Sequence, residues 1–92
     1  MSQAITIQPD YDITVSKSDT LRDELLRHIQ AGEKHIVIDF SSVQIIDSTG
    51  LSVLISAHNT IKEEHPLELV NVSDDIKKLL AITRLDKHFK IN

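Results

Sequence analysis

The fold of this chain is constrained most by a short, uninterrupted apolar run over residues 35–40, with the sequence HIVIDF. A run of this length that is rich in β-branched residues is typical of a strand buried on both faces, in a sheet that helices cover. Apolar residues recur at helical spacing before and after the run, which predicts helices over about residues 19–31 and 49–63. A strand between two helices indicates βαβ units with parallel strands.

Further segments continue this alternation of strands and helices. Residues 4–8 (AITIQ) alternate in polarity and predict a strand that Pro9 ends, and residues 67–72 (LELVNV) predict another strand. A third helix is expected after Ser73, because apolar residues again recur at helical spacing there. The chain is therefore predicted to be an α/β protein with a mainly parallel set of central strands.

Three segments are less regular than these. Residues 11–15 (YDITV) form either a second short strand or an extended loop, and residues 85–92 are expected to end in a short extended piece. Residues 41–46 read as a connector, although its apolar side chains, Ile45 among them, are expected to be covered. In parallel sheets the functional loops lie at the carboxyl ends of the strands, and this connector lies at that end.

Helix starts and ends carry signals of their own. Residues 16–20 (SKSDT) are rich in the residue types that cap helix N-termini, and Asp47, Ser48 and Thr49 offer three such residues before the second helix. Gly32 follows the first helix at the place where a left-handed residue commonly ends one.

Length and composition exclude several classes of protein. Ninety-two residues have room for one hydrophobic core, so residues 1–92 are expected to form a single domain. The formal net charge of −4 argues against a nucleic-acid partner and against a polybasic membrane-surface protein. The chain has no cysteine, which excludes disulfides and cysteine-based zinc sites. No apolar stretch approaches the ~20 residues of a spanning helix and residues 1–7 do not resemble a signal peptide, so the expected location is cytoplasmic, without membrane insertion.

The chain offers little that is typical of an enzyme. Its five histidines lack the short spacing of a metal site, so structural or solvated histidines are expected and no metal is predicted. Asp39 and Asp47 flank one loop, but the sequence supplies no companion base or nucleophile for them. Two glycines cannot form a phosphate-binding loop. We therefore predict no catalytic residue, no cofactor and no enzymatic activity.

One pentapeptide, Asp47-Ser48-Thr49-Gly50-Leu51, allows two interpretations. The simpler one is an ordinary helix N-cap. The other is an interaction site, because glycine inside a helix costs about 0.5–1 kcal/mol relative to alanine and so suggests close backbone approach by a partner or by the sheet. A larger side chain at Gly50 is then expected to block docking with limited loss of stability. Ser48 would sit at the positive end of the helix dipole, where a phosphate is stabilised.

The block of residues 36–54, with the sequence IVIDFSSVQIIDSTGLSVL, resembles the STAS family, which takes its name from sulphate transporters and anti-sigma factor antagonists. Looser similarity covers about residues 5–89. The resemblance implies the STAS fold, a small mixed sheet with helices packed mainly on one side. It also implies that Ser48 is the position at which anti-sigma factor antagonists are phosphorylated, and that Asp47, Thr49, Gly50 and Leu51 belong to the docking surface around it.

The same resemblance implies partners. In anti-sigma factor antagonists of bacteria, a serine kinase that is also the anti-sigma factor binds the unphosphorylated form, and a metal-dependent serine/threonine phosphatase removes the phosphate. The compact length also resembles the STAS subunit that binds the ATPase of phospholipid-trafficking ABC transporters. A nucleotide-binding role is a third possibility, although no phosphate loop supports it. The prediction is a non-enzymatic partner switch controlled at Ser48, with the transporter subunit as its alternative.

Overall fold

The structure is a computed structural model, and it describes residues 4–92. The elements confirm the predicted alternation and lie close to the predicted boundaries: β1 (Ile5–Ile7), α1 (Ser18–Gln30), β2 (Ile36–Asp39), α2 (Ser48–Ile61), β3 (Glu68–Val70), α3 (Asp74–Ile82), a 3-10 turn (Leu85–Lys87) and β4 (Lys90–Ile91). Residues 1–3, on which part of the expectation about a signal peptide rests, lie outside the described residues. No helix within residues 4–92 is long and apolar enough to cross a membrane.

The four strands form one sheet in the order β1-β2-β3-β4. Each pair of neighbours is parallel, and the register aligns Ile7 with Ile38, Ile38 with Leu69, and Leu69 with Ile91. A helix lies between β1 and β2, between β2 and β3, and between β3 and β4, which is the connection that parallel strands require. The α/β fold class is confirmed, and the sheet is parallel throughout residues 4–92, where a mixed sheet was expected.

The two faces of the sheet differ in burial. Ile7, Ile38 and Leu69 share one face and are each at most 2% exposed, because the helices contribute their apolar side chains to the same core. On the other face, Val37 is buried, but its neighbours in the register are the exposed Thr6 and the half-buried Glu68. The helices therefore cover mainly one face, as the resemblance implies. Burial on both faces, predicted from the apolar run, is confined to β2.

Helix capping follows the prediction for two helices and departs from it for the first. Asp47 and Ser73 have extended backbones, and their side chains accept hydrogen bonds from the N–H groups of residues three further on. The predicted side-chain cap of α1 is wrong, because Lys17 occupies the N-cap position and makes no such bond. Its backbone angles (φ −125°, ψ −4°) depart from the extended conformation of a capping residue. Gly32 confirms the predicted left-handed position, with φ of 92°.

Residues 11–15 form a loop that makes one isolated β-bridge, between Ile13 and Ile46, and then turns into α1. The segment is also held by its own carboxylate, since Asp12 Oδ1 accepts hydrogen bonds from the N–H groups of Gln44 (2.9 Å) and Ile45 (3.1 Å). These contacts resolve the sequence ambiguity in favour of a loop, which carries a single bridge. They also place this loop beside the connector that leads into α2.

Candidate functional site

Asp47 organises the start of α2 with both oxygens of its carboxylate. Oδ1 accepts a hydrogen bond from the Gly50 N–H at 3.0 Å, which caps the helix. Oδ2 accepts from the Val15 N–H at 2.9 Å, and the N–H of Asp47 itself donates to the Ile13 carbonyl oxygen at 3.2 Å. The helix start is therefore tied to residues more than thirty positions earlier in the chain, in the loop of residues 11–15.

Gly50 is required for this packing. A Cβ atom at position 50 would lie 2.3 Å from the backbone oxygen of Ile13, and 2.7 Å and 2.8 Å from side-chain atoms of Ile13 and Ile46. The close approach suggested by the sequence is thus made by the chain's own loop of residues 11–15. The expectation that a larger residue at Gly50 would leave stability nearly intact is wrong, because a backbone oxygen cannot move aside as a flexible side chain can.

The five candidate residues separate by depth at the start of α2. Ser48 and Thr49 are exposed, Asp47 is half-buried, and Gly50 and Leu51 are buried, with Leu51 in the core. The exposed hydroxyls thus lie on a support made by the other three residues. This placement leaves Ser48 and Thr49 accessible from solvent, while the inner residues hold the helix start in position.

The electrostatic setting of Ser48 is simple because α2 has no aspartate, glutamate, lysine or arginine from Ser48 to Ile61. The N-terminus of an α-helix carries a partial positive charge, which favours an anion there. The Asp47 carboxylate is adjacent and acts in the opposite sense, although both of its oxygens already accept backbone hydrogen bonds. A phosphate on Ser48 would be the first strong charge on the exposed side of this helix.

Two exposed apolar side chains flank this helix start. Val15 is 70% exposed and Ile45 is 56% exposed, and they are two of four large apolar residues exposed in the part of the chain that the structure describes. Their backbones are joined to the helix start, Val15 through Asp47 and Ile45 through Ile13. Ile45 also lines a shallow cleft against α3. The expectation that Ile45 would find cover within the domain is wrong, and no sequence signal distinguished it from the buried Ile46.

The second carboxylate considered at the sequence level, Asp39, has a different set of partners. Its Oδ1 accepts hydrogen bonds from the Asn71 side chain at 3.0 Å and the Ser41 N–H at 2.9 Å, and these bonds lower the pKa of Asp39 below its ordinary value. Each of the two aspartates thus stabilises backbone or side chains in its own surroundings. Among the hydrogen bonds of residues 4–92, neither aspartate carboxylate pairs with a side chain that could act as a nucleophile or a base.

The histidines also have structural surroundings. The His35 imidazole stacks on that of His65, with ring centroids 4.6 Å apart, and its Nε2 donates to the Glu68 carboxylate at 3.0 Å. His58 is buried inside the fold. No group of three or more histidine, aspartate or glutamate side chains in residues 4–92 is arranged to hold a metal ion.

Comparison with known proteins identifies the family. A family model described as the STAS domain matches residues 2–92. The chain belongs to the STAS domain family. The resemblance noted in the sequence is confirmed.

Solved STAS structures share the fold. The chain is similar to a candidate anti-sigma factor antagonist of Thermotoga maritima, with 21% identity, a TM-score of 0.89, and coverage of 96% of this chain and 77% of that one. A STAS protein of Planctomyces limnophilus has 19% identity, a TM-score of 0.80, and coverage of 98% and 80%. The phosphorylated form of the Bacillus cell fate determinant SpoIIAA has 15% identity, a TM-score of 0.73, and coverage of 100% and 85%. At these identities the likeness establishes a shared fold.

Proposed function

We propose that this STAS domain is a non-enzymatic regulatory protein similar to anti-sigma factor antagonists, and that phosphorylation of Ser48 decides which partner it binds. The observation that carries the proposal is the exposure of Ser48, the first residue of α2. Gly50 and Leu51, which follow it, are buried and fix the position of the helix start. SpoIIAA, which has this fold, has been solved in phosphorylated and unphosphorylated forms. The likeness supports the proposal through the shared fold.

In the unphosphorylated form, the docking surface consists of residues 47–51. Ser48 and Thr49 form its exposed part, and Asp47, Gly50 and Leu51 hold the helix start in position beneath them. The exposed apolar side chains of Val15 and Ile45 enlarge this surface and suit a partner that buries them. The proposed partner is a serine kinase that also acts as an anti-sigma factor, and the proposed setting is the bacterial cytoplasm. Residues 1–92 act as one domain, without nucleic acid, cofactor, catalytic residue or insertion into a membrane.

Phosphorylation would change this surface without unfolding the domain. A phosphoserine adds about −1.5 to −2 charges and three acceptor oxygens at neutral pH. At Ser48 this charge lies next to the Asp47 carboxylate, and it also occupies space that a tightly fitted partner needs. The hydrogen bonds of Asp47 to Val15, Gly50 and Ile13 do not involve the Ser48 hydroxyl, so we expect them to be retained. A serine/threonine phosphatase would then restore the docking surface.

An accessory role in a phospholipid-trafficking ABC transporter is the second candidate. The observation that favours it is the α2 surface itself, which carries no acidic or basic side chain and adjoins the exposed Val15 and Ile45. Such a surface suits a lasting contact with an ATPase subunit that does not depend on phosphorylation. In this role Ser48 would be an assembly contact.

The test compares Ser48→Ala and Ser48→Asp, each immobilised and exposed to lysate of the native host, with captured proteins identified by mass spectrometry. We expect Ser48→Ala to capture an ATP-binding kinase that Ser48→Asp does not capture. The kinase should phosphorylate the wild-type protein at position 48. Ser56→Asp is the matched control, because it adds the same charge at another exposed position of α2 and should leave capture unchanged.

Two results would count against the switch. Control by charge is contradicted if the kinase binds the alanine variant, the aspartate variant and the phosphorylated wild-type protein with equal affinity. The phosphorylated protein for this comparison is prepared with the kinase itself. Capture of an ABC transporter ATPase by both variants supports the second candidate instead.

A further inference from the structure

His58 is the buried ionisable side chain of α2. It is 6% exposed, and the other buried polar residue in the described part of the chain is Ser18. Its position on the inner side of α2 separates it from the exposed Ser48 and Thr49, so the proposed partner switch makes no use of it. An imidazole in such surroundings needs a partner, and the partner determines which protonation state the fold accepts.

The partner of His58 is the backbone of the chain just before β3. The N–H of Leu67 donates a hydrogen bond to His58 Nδ1 at 3.2 Å. Nδ1 accepts this bond only when it carries no proton, so the fold requires the neutral imidazole. The carbonyl oxygen of Leu67 accepts a hydrogen bond from the Lys90 N–H at 2.9 Å. The Leu67 backbone therefore connects α2 to β4 through its N–H and its carbonyl oxygen.

The segment of residues 85–92 depends on this connection. Its strand, β4, has two residues and borders only β3, and it is joined through the N–H groups of Lys90 and Asn92. Its one buried side chain, Phe89, meets the His58 ring edge-to-face with centroids 5.4 Å apart. His58 thus contacts both the backbone that pairs with β4 and the aromatic anchor of the segment.

The charges that act on His58 all disfavour its protonated form. Burial has the largest effect and lowers the pKa of His58 below its ordinary value, and the positive charges of His88 and Lys62 lower this pKa further. His88 belongs to the 85–92 segment, and its ring centroid lies 6.1 Å from that of His58. Lys62 follows the last residue of α2. On the β3 side, the Glu68 carboxylate is bound to His35 and is not among the groups that shift this pKa.

We propose that His58 is an acid-sensitive latch: its neutral form holds residues 85–92 on the edge of the sheet, and its protonation releases them while the rest of the fold persists. A protonated Nδ1 would be a hydrogen-bond donor that faces a second donor, the Leu67 N–H. The protonated ring would also lie beside His88. A buried donor without an acceptor is costly. Release of residues 85–92 would withdraw Phe89 and His88 from the ring, so that water could reach both donors while the rest of the fold persists. Solvent reaches the ring through a cleft whose lining includes His58, His88 and Phe89.

The direction of the pH effect follows from the lowered pKa. The unfolded or released chain has the ordinary histidine pKa of about 6.5 and binds a proton more readily than the closed form. The stabilisation of the closed form is therefore complete above about pH 6.5 and is lost as pH falls through the lower pKa of the folded state. The latch is independent of Ser48, so the failure of either proposal leaves the other intact.

The experiment is NMR on the full chain between pH 8 and pH 5, with hydrogen exchange corrected for the intrinsic effect of pH. We expect the protection of the Lys90 and Asn92 amides, which donate to the carbonyl oxygens of Leu67 and Leu69, to fall severalfold. The amides of Leu21 and Leu25 in α1 should keep theirs. The His58 ring should titrate below pH 6.5. His58→Gln keeps a side-chain acceptor without a titrating proton and should remove the pH dependence, whereas His28→Gln in α1 should not.

Three results would overturn the latch. They are a His58 ring that titrates at its ordinary pKa, a pH-dependent loss of protection that persists in His58→Gln, and a simultaneous loss of protection in α1. Where His58→Gln does not fold, the wild-type protein still decides the question, because the loss of protection in residues 85–92 must follow the titration of the His58 ring.

Discussion

At the scale of single residues, the support beneath Ser48 can be tested separately from the binding of any partner. Asp47 and Gly50 hold the helix start through contacts with residues 13–15, all of them inside the domain. Substitutions of these residues should change the free energy of unfolding. Substitutions of the exposed Ser48 and Thr49 should leave it nearly unchanged, because exposed positions away from such contacts usually shift it by no more than about 0.5 kcal/mol.

Asp47→Ala should lower the free energy of unfolding by about 1–2 kcal/mol, because it removes a helix N-cap and the acceptor for the Val15 N–H. Urea denaturation followed by circular dichroism measures the change. Asp23→Ala is the control, since Asp23 is exposed on α1 and should change stability by no more than about 0.5 kcal/mol. Equal losses for the two variants would contradict the capping role of Asp47.

Gly50→Ala should destabilise the protein by about 3 kcal/mol, at the upper end of the range for overpacked sites. The added methyl group meets the backbone oxygen of Ile13, and the bridge between Ile13 and Ile46 must open to admit it. Thermal unfolding compares this variant with Ser56→Ala, an exposed change on the same helix that should have little effect. A Gly50→Ala protein as stable as wild type would mean that the helix start moves aside at little cost.

At the scale of elements, the three helices begin in different ways, and the difference is measurable. Ser73→Ala removes the side chain that accepts from the Ile76 N–H and should cost about 1 kcal/mol. Lys17→Ala changes an N-cap position without a side-chain hydrogen bond and should cost less than half as much. Denaturation midpoints of the two variants, compared at equal m-values, provide the measurement. A larger loss for Lys17→Ala would assign the capping of α1 to its side chain.

The order and boundaries of the elements could be predicted because each depends on a local pattern. The apolar run before Phe40 and the helical spacing after Asp47 both survive in the fold. Lys17 lies in a turn, since its N–H donates to the carbonyl oxygen of Thr14. The other two missed features depend on distant residues, because the surroundings of Gly50 and the exposure of Ile45 depend on where the 11–15 segment lies. No local pattern contains that information.

The same distinction applies to the candidate site. The sequence located the start of α2 and the residue Ser48, because cap residues and the STAS motif are local. It did not separate Ser48 and Thr49, which are exposed, from Gly50 and Leu51, which are buried. Helical periodicity predicts that side chains differ in direction, but the neighbours that cover them come from elsewhere in the chain.

At the scale of the whole molecule, acid stability depends on carboxylates of the less covered face of the sheet. The hydrogen bond from His35 lowers the pKa of Glu68, and the nearby Lys90 and Asn92 act in the same direction. A lowered pKa means that the stabilising contribution is present above the ordinary pKa of a glutamate, about 4.3, and is lost as pH falls through the lower folded-state value.

Glu68→Gln should therefore flatten the dependence of the free energy of unfolding on pH below about pH 5, where a paired carboxylate becomes protonated. Urea unfolding at a series of pH values gives this slope. Glu63→Gln, an exposed change after α2, should leave the slope at its wild-type value. An unchanged slope in Glu68→Gln would remove Glu68 from the groups that govern acid unfolding.

The parallel sheet also determines the order in which the molecule can assemble. Ile5 pairs with Ile36 and Val37 pairs with Glu68, so neither pairing can form as a local hairpin, and each must wait for the intervening helix to dock. Chains dominated by such distant contacts fold more slowly than helical bundles of similar stability. The two-residue β4 has little pairing to contribute to a folding nucleus. Changes in β4 should therefore accelerate unfolding and leave the rate of folding nearly untouched.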